Sequence, residues 1–500
     1  MIIHTSLKYL FVTVWSMAII VTAEAQQNKS KPNIIVILAD DLGWKDLSCY
    51  GSTFYETPNL DALAAKGAKF TNNYTTSPVC SPTRSSIMTG KNPINTKVTD
   101  WIKGRQENGN AKPFEKLITP ATAFELSLNE NTIAEHALKN GYQTFFAGKW
   151  HLGEEEKHWP LNHGFQTNKG GWSKGGPTGK INDSTGGYFT PYGNPTLTDG
   201  PAGEYITDRL ANECISFIQK EKQSPFFLMY SLYAVHNPLQ APAALIKKYK
   251  EKQQRLGYTD KDRFIKNEEW MKNQTDWKQR LVQDHAVYAA MIENMDWNIG
   301  RIIQSLKEKG LLENTLIIFT SDNGGLSTAE GSPTTNIPLR AGKGWLYEGG
   351  IRVPMVMYWK NKLQQGIVSD LPVNTSDIFS TVVTAINKTY KKETAVEGED
   401  ILKLLSNQKK TADRALYWYY PHYSNQGGKP GAAIRKGKYK LIYNYEDDSI
   451  ELYDLSVDVS EKKNLATQNV QVAKQLKKQL DLWLANNKAG GFKPNPGYKQ

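Results

Sequence analysis

Four apolar runs of strand length constrain this 500-residue chain more than any other feature: Ile34 to Leu38, Tyr142 to Ala147, Phe226 to Tyr233 and Leu316 to Thr320. They are rich in β-branched and aromatic residues and lack the strict apolar-polar alternation of a half-exposed strand. Strands buried on both faces are therefore expected. Helical spacing appears between them, in Thr57 to Gly67, Thr132 to Gly141, Tyr205 to Lys220 and His285 to Leu306. Such alternation predicts an α/β fold with parallel strands. Each run stops at polar residues capable of chemistry: Asp40-Asp41, Lys149 with His151, His236, and Asp322-Asn323. In isolation these read equally well as turn carboxylates, a solvated lysine and turn histidines. Ligands of open α/β sheets, however, bind outside the carboxyl ends of parallel strands, so all four sets are expected to face one crevice.

The stretch Pro78 to Gly90 reads as a short helix, with Cys80 at its mouth, Pro82 in its first turn and Gly90 at its exit. Free N–H groups and the positive dipole end gather at such a mouth, favouring anions and an activated nucleophile. A lone cysteine is also compatible with simple packing. Three cysteines in all, Cys49, Cys80 and Cys214, exclude a disulfide scaffold and a cysteine-rich metal site.

Lys8, the apolar segment Tyr9 to Val21 and Ala23-Glu24-Ala25 read as a cleaved secretory leader, too short for a stable membrane span. An exported protein, periplasmic or secreted, is expected. Lysine and arginine number 61 against 50 acidic residues, giving +11, and loss of residues 1–25 removes Lys8 and Glu24 without changing that balance. An anionic partner would suit it. Finger spacings, an arginine-rich arm and RNA-binding aromatics are all missing, so no nucleic acid is implied, and an anionic polysaccharide is an equally good partner for an exported chain.

Residues 93–128 lack a sustained period, Lys169 to Gly203 is rich in glycine, proline and tyrosine, and both read as long, substrate-facing loops. A boundary is expected between 385 and 412. Three parts follow: the leader at 1–25, a catalytic domain at 26–400, and an α+β subdomain at 401–500. The last has strand-like runs at Ala415 to Tyr420, Gly431 to Arg435, Tyr439 to Tyr445 and Ile450 to Leu455, then a helix from Val470 to Ala485.

Cys80-x-Pro82-x-Arg84, followed by Ile87-Met88-Thr89-Gly90, resembles the signature of the type I, formylglycine-dependent sulfatases. Gly141 to Gly148-Lys149-Trp150-His151 is similar to the second signature of that family. Ser321-Asp322-Asn323-Gly324 and Arg340-Ala341-Gly342-Lys343 are similar to its later motifs, and Glu451-Leu452-Tyr453-Asp454 with Asn464-Leu465-Ala466 to its C-terminal part. The resemblance covers nearly the whole chain, and is strongest to exported bacterial polysaccharide sulfatases. It implies an alkaline-phosphatase-like α/β/α sandwich with a small C-terminal antiparallel sheet. A formylglycine-generating partner enzyme is also implied, reading Cys80, Pro82 and Arg84 and converting Cys80 to formylglycine (3-oxoalanine).

Asp40, Asp41, Asp322 and the Asn323 oxygen form an all-oxygen anionic set suited to a hard divalent cation, without the thiolates or histidines of a zinc site. The resemblance implies Ca²⁺, with Mg²⁺ as the alternative, and places modified Cys80 among the metal ligands. It also implies that a gem-diol hydroxyl of the modified residue attacks sulfur. Arg84, Lys149, His151 and Lys343 would stabilise the charge, His236 with Lys343 would protonate the leaving alcohol, and His151 would take the proton that releases sulfate. Gln240, Asp100, Arg105 and His422 are the candidate substrate contacts, by residue type and loop position. The expected activity is hydrolysis of sulfate esters in algal polysaccharide, such as ulvan or carrageenan, or in glycosaminoglycan. A phosphodiester or phosphonate hydrolase and an inactive sulfoglycan-binding protein are the alternatives.

Overall fold

The computed structural model describes residues 31–104, 111–177, 186–220, 224–258, 260–266, 278–360 and 362–499. The expected leader and Arg105 lie outside the described residues. Eight strands form the main sheet: β1 (Asn33–Ala39), β2 (Ala68–Phe70), β3 (Gln143–Gly148), β4 (Thr167–Lys169), β5 (Phe226–Ser231), β6 (Thr315–Ser321), β7 (Met355–Tyr358) and β8 (Ile367–Ser369), in the order β8-β2-β7-β6-β1-β5-β3-β4. The four runs singled out above are the contiguous centre, β6-β1-β5-β3, and all are parallel. β7 alone runs the other way, antiparallel to both β6 and β2, so the sheet is mixed.

All seven residues of β1 are buried. Its side chains divide by parity, Ile35 and Ile37 into one core cluster, Ile34, Val36 and Leu38 into another. A strand sandwiched between helical layers requires that division. Burying each such aliphatic side chain contributes about 1.5–3 kcal/mol. The first face is covered by α1 (Pro58–Lys66), α4 (Ile206–Gln219), α5 (Ala243–Leu256) and α6 (Ala286–Glu308); the second by α2 (Cys80–Thr89), α3 (Ile133–Lys139), α7 (Ser376–Ile386) and α8 (Ile401–Ser406). Ile401, from the expected C-terminal subdomain, sits in this second core.

β9 (Ala415–Tyr420), β10 (Gly431–Lys436), β11 (Tyr439–Asn444) and β12 (Ile450–Asp454) form an antiparallel sheet in sequential order. One face, through Leu416, Trp418 and Ile442, packs on Tyr74, Val79, Leu346 and Ile351 of the larger unit. The other, through Ile434, Leu441 and Leu452, packs on α9 (Val470–Asn486) through Leu476, Leu480 and Leu484. Among the described residues no helix is long and apolar enough to cross a membrane.

Register is what assembles the site. Ala39 is level with Ser321, and Leu38 and Gly148 are both level with Ser231. The residues following these positions therefore emerge together. Gly148 marks a tight point, because at φ +108° a Cβ there would meet the Ser231 carbonyl oxygen at 1.8 Å.

Candidate active site

α2 is a polar helix, CSPTRSSIMT, yet every residue in it is buried. Its hydroxyls make this tolerable by bonding locally: Ser85 Oγ donates to the Pro82 carbonyl at 2.7 Å and Thr89 Oγ1 to the Ser85 carbonyl at 2.8 Å. Cys80 is the first residue of the helix and only 3% exposed, after Val79 in extended conformation; Gly90 closes the helix at φ +69°.

From the ends of β1, β3, β5 and β6 the expected residues converge on this mouth. Cys80 Sγ lies 3.3 Å from His151 Nδ1. His151 Nε2 contacts the Ile102 carbonyl. A carbonyl oxygen can only accept, so Nε2 carries the hydrogen and the Nδ1 lone pair faces Cys80. Burial first, then Lys149, holds this imidazole well below the ordinary histidine range, so it is neutral and able to take a proton.

Three carboxylates and three cations interleave beside it. Lys149 Nζ meets Asp40 Oδ2 at 2.7 Å, Lys343 Nζ meets Asp41 Oδ2 at 2.8 Å, and Arg84 Nε donates to Asp322 Oδ2 at 2.8 Å. Arg84 also donates to the Lys149 carbonyl at 2.9 Å and to Ser231 Oγ at 2.8 Å. Burial pushes all three carboxyls up. Lys343 overcomes it at Asp41, and Arg84 does so at Asp322, while Asp40, with Asp322 close by, stays well above the ordinary value.

Asp40 Oδ1 and Asn323 Oδ1 are buried without a hydrogen-bond partner among the described residues. Two orphaned oxygens beside three carboxylates are what a hard cation would satisfy, so the residues fit one. The structure adds a histidine to the expected oxygen set: ligand atoms of Asp40, Asp41 and His236 lie within 4.8 Å of one another. The nitrogen of Asn323 faces Asp41 Oδ1 at 2.8 Å, leaving its oxygen as the open acceptor.

His236 Nε2 is 3.8 Å from Asp41 Oδ2, and its Nδ1 donates to the Asn237 carbonyl at 2.7 Å. Burial, then Lys343, holds it down at about 3. It is neutral in this state.

The three substrate candidates among the described residues fare differently. His422 is fully buried and pushed down to about 3 by burial; its Nε2 lies 2.9 Å from Thr99 Oγ1 and its Nδ1 3.3 Å from Thr119 Oγ1. It joins the C-terminal subdomain to the loop before it, with no surface left for substrate. Asp100 is 1% exposed and accepts from Trp101 N and Tyr420 Oη. Gln240 accepts from Tyr188 N at 2.8 Å and braces a loop. Residue type alone could not separate such bracing from recognition. Ile102 and Ser231, which orient His151 and Arg84, were missed, since a backbone carbonyl and a serine inside a strand carry no local signal.

The sulfatase family model matches residues 32–388, and the model for the C-terminal part of N-sulphoglucosamine sulphohydrolase matches residues 341–486. A sulfatase of Formosa agariphila is 30% identical, over 92% of this chain and 90% of that protein. N-acetylgalactosamine-6-sulfatase of Canis lupus familiaris is 26% identical, over 91% and 80%. The crystal structure of Ps i-CgsB in complex with k-i-k-neocarrahexaose superposes with a TM-score of 0.72 at 26% identity, covering 92% of this chain and 94% of that one. With these matches spanning the strands, the Cys80 helix and the C-terminal sheet, the chain belongs to the sulfatase family of sulfuric ester hydrolases.

Proposed function

We propose that this protein removes sulfate from sulfated carbohydrate, using formylglycine made from Cys80 and a divalent cation, Ca²⁺ in the first instance. The observation that carries this reading is the 3.3 Å contact of Cys80 Sγ with the lone-pair nitrogen of His151, at the edge of the carboxylate and cation cage. Oxidation of Cys80 supplies a hydrated aldehyde hydroxyl as nucleophile. A cation held by Asp40, Asp41, Asp322 and Asn323 supplies Lewis-acid stabilisation of sulfate oxygens.

The chain's own residues do the rest. Lys149 and Lys343, already set against Asp40 and Asp41, bring preorganised positive charge to the sulfate oxygens. Arg84 locks Asp322 and the end of β3 in place. His151 Nδ1 receives the proton from the group at position 80. His236 delivers a proton to the departing alcohol from Nε2, gaining it when an anionic ester is set against the imidazole. The carbohydrate class is supported by the relatives' names and by the neocarrahexaose bound to Ps i-CgsB. Export by the leader at 1–25 and maturation by a formylglycine-generating enzyme belong to the same proposal.

Peptide mass spectrometry across Cys80, paired with aryl sulfate hydrolysis by the same preparation, tests it. Conversion of the thiol to aldehyde with turnover is expected, along with loss of turnover on chelation and recovery with Ca²⁺. Unmodified Cys80 in a host that matures sulfatases, with turnover retained, would overturn the formylglycine assignment.

A further inference from the structure

Glu330 lies in a loop at the edge of the site, in a conformation its residue type does not favour. Its φ is +53°, within the left-handed region where glycine and asparagine are comfortable, and the next residue is Gly331. The residue is exposed, so burial does not explain its presence there. Neighbours hold it from two sides. Asn237, next to His236 in sequence, donates from Nδ2 to Glu330 Oε2 and to the Glu330 carbonyl, both at 3.4 Å. Gln426, 4% exposed, donates from Nε2 to Glu330 Oε1.

Gln426 is itself fixed so that its nitrogen faces Glu330. Ser424 Oγ donates to its Oε1 at 2.7 Å, its N–H donates back to Ser424 Oγ at 3.0 Å, and its carbonyl accepts from Trp345 Nε1 at 2.8 Å. The loop bearing Ser424 and Gln426 is pressed against the lysine motif: a Cβ on Gly344, the residue after Lys343, would lie 2.0 Å from Ser424 Oγ.

We propose that Glu330, positioned by Asn237 and Gln426, is a specificity residue on the leaving-group side of the site, accepting hydrogen bonds from hydroxyls of the sulfated sugar and repelling a second anionic group on it. The inference rests on the carbohydrate reading above, in which His236 and Lys343 face the departing alcohol. A carboxylate accepts from hydroxyls, and gains over a neutral group when it does so. Through the water around an exposed carboxylate, its repulsion of a second sulfate at contact distance costs about tenfold in affinity. The substrate class selected is a singly sulfated, otherwise neutral sugar unit.

The test uses the full-length protein carrying Cys80→Ala, so that no ligand is turned over. Calorimetry gives the affinity for a hexose monosulfate and for each disulfate made by adding one further sulfate. Glu330 as found is expected to favour the monosulfate over at least one positional isomer by about tenfold. E330Q is expected to remove most of that ratio and E330K to reverse it, while a purely structural brace would weaken both ligands together. If both sugars bind and the ratio is the same in all three proteins for every isomer, the Glu330 subsite is overturned and the carbohydrate reading stands. If no sugar sulfate binds, the carbohydrate reading falls and takes the subsite with it.

Discussion

At the residue scale, one backbone contact sets the chemistry of His151. Because Nε2–H is held by the Ile102 carbonyl, Nδ1 is the only nitrogen left to act, and it faces Cys80. Histidine at 151 replaced by glutamine is expected to lower kcat by about 10²–10⁴-fold, with the aldehyde at position 80 still present by mass spectrometry. His236 permits a sharper test, because protonating a departing alcohol matters more when the alcohol is a poor leaving group. His236→Ala is expected to cost about 10²-fold or more on a sugar sulfate and markedly less on a nitrophenyl sulfate. Equal losses on both would remove it from the acid role. That Cys80, Arg84, Lys149, His151, His236 and Lys343 would gather at one crevice was legible in the chain, but the tautomer of His151 was not. It depends on a carbonyl 49 residues away in sequence.

Among elements, α1 shows a cap supplied from elsewhere. Thr57 occupies the N-cap position but makes no capping bond; its Oγ1 is engaged by Ser48 N at 2.9 Å and Asp61 Oδ1 at 3.1 Å. Asp296, on α6, takes over: Oδ1 accepts from Leu60 N at 2.8 Å and Oδ2 from Asn59 N at 3.0 Å. Asp296→Ala is therefore expected to destabilise the protein by about 1–2 kcal/mol, read as a fall in urea midpoint, whereas Thr57→Ala costs less. The end of β3 is stricter. Gly148→Ala forces a Cβ into the Ser231 carbonyl at a left-handed φ, and is expected to cost more than about 3 kcal/mol and to displace Lys149 and His151. A folded variant of unchanged melting temperature would show that the strand ends can separate freely.

For the whole molecule, a buried charge cluster joins the C-terminal sheet to the helix Glu348–Ile351 of the larger unit. Lys440 of β11 contacts Glu348 at 3.0 Å and Glu461 at 2.8 Å, all three without side-chain exposure, and Glu461 Oε2 accepts from Glu348 N at 2.7 Å. Burial raises Glu461 from its ordinary 4.5 to about 7; Lys440 acts against the shift and Glu348 reinforces it. The folded state thus holds this proton more tightly than the unfolded chain does. The stability it contributes is complete below about pH 4.5 and is lost as the pH rises through 7, on the order of 3 kcal/mol. Glu461→Gln is expected to flatten the fall in melting temperature between pH 5 and 8. An identical slope in both proteins would show that Glu461 titrates normally.

The chain by itself determined the buried strands, the helices between them, the C-terminal sheet and the chemical residues at the strand ends. Periodicity, residue type and spacing are local properties, and they sufficed for those features. Tertiary structure alone decided that β7 is antiparallel, that polar α2 is wholly buried, and that His422 and Asp100 brace loops. It also brought Glu330, Asn237 and Gln426 to one rim. Each of those outcomes depends on which distant segment lies alongside. Strand register and loop docking settle that, and composition within a segment does not encode it.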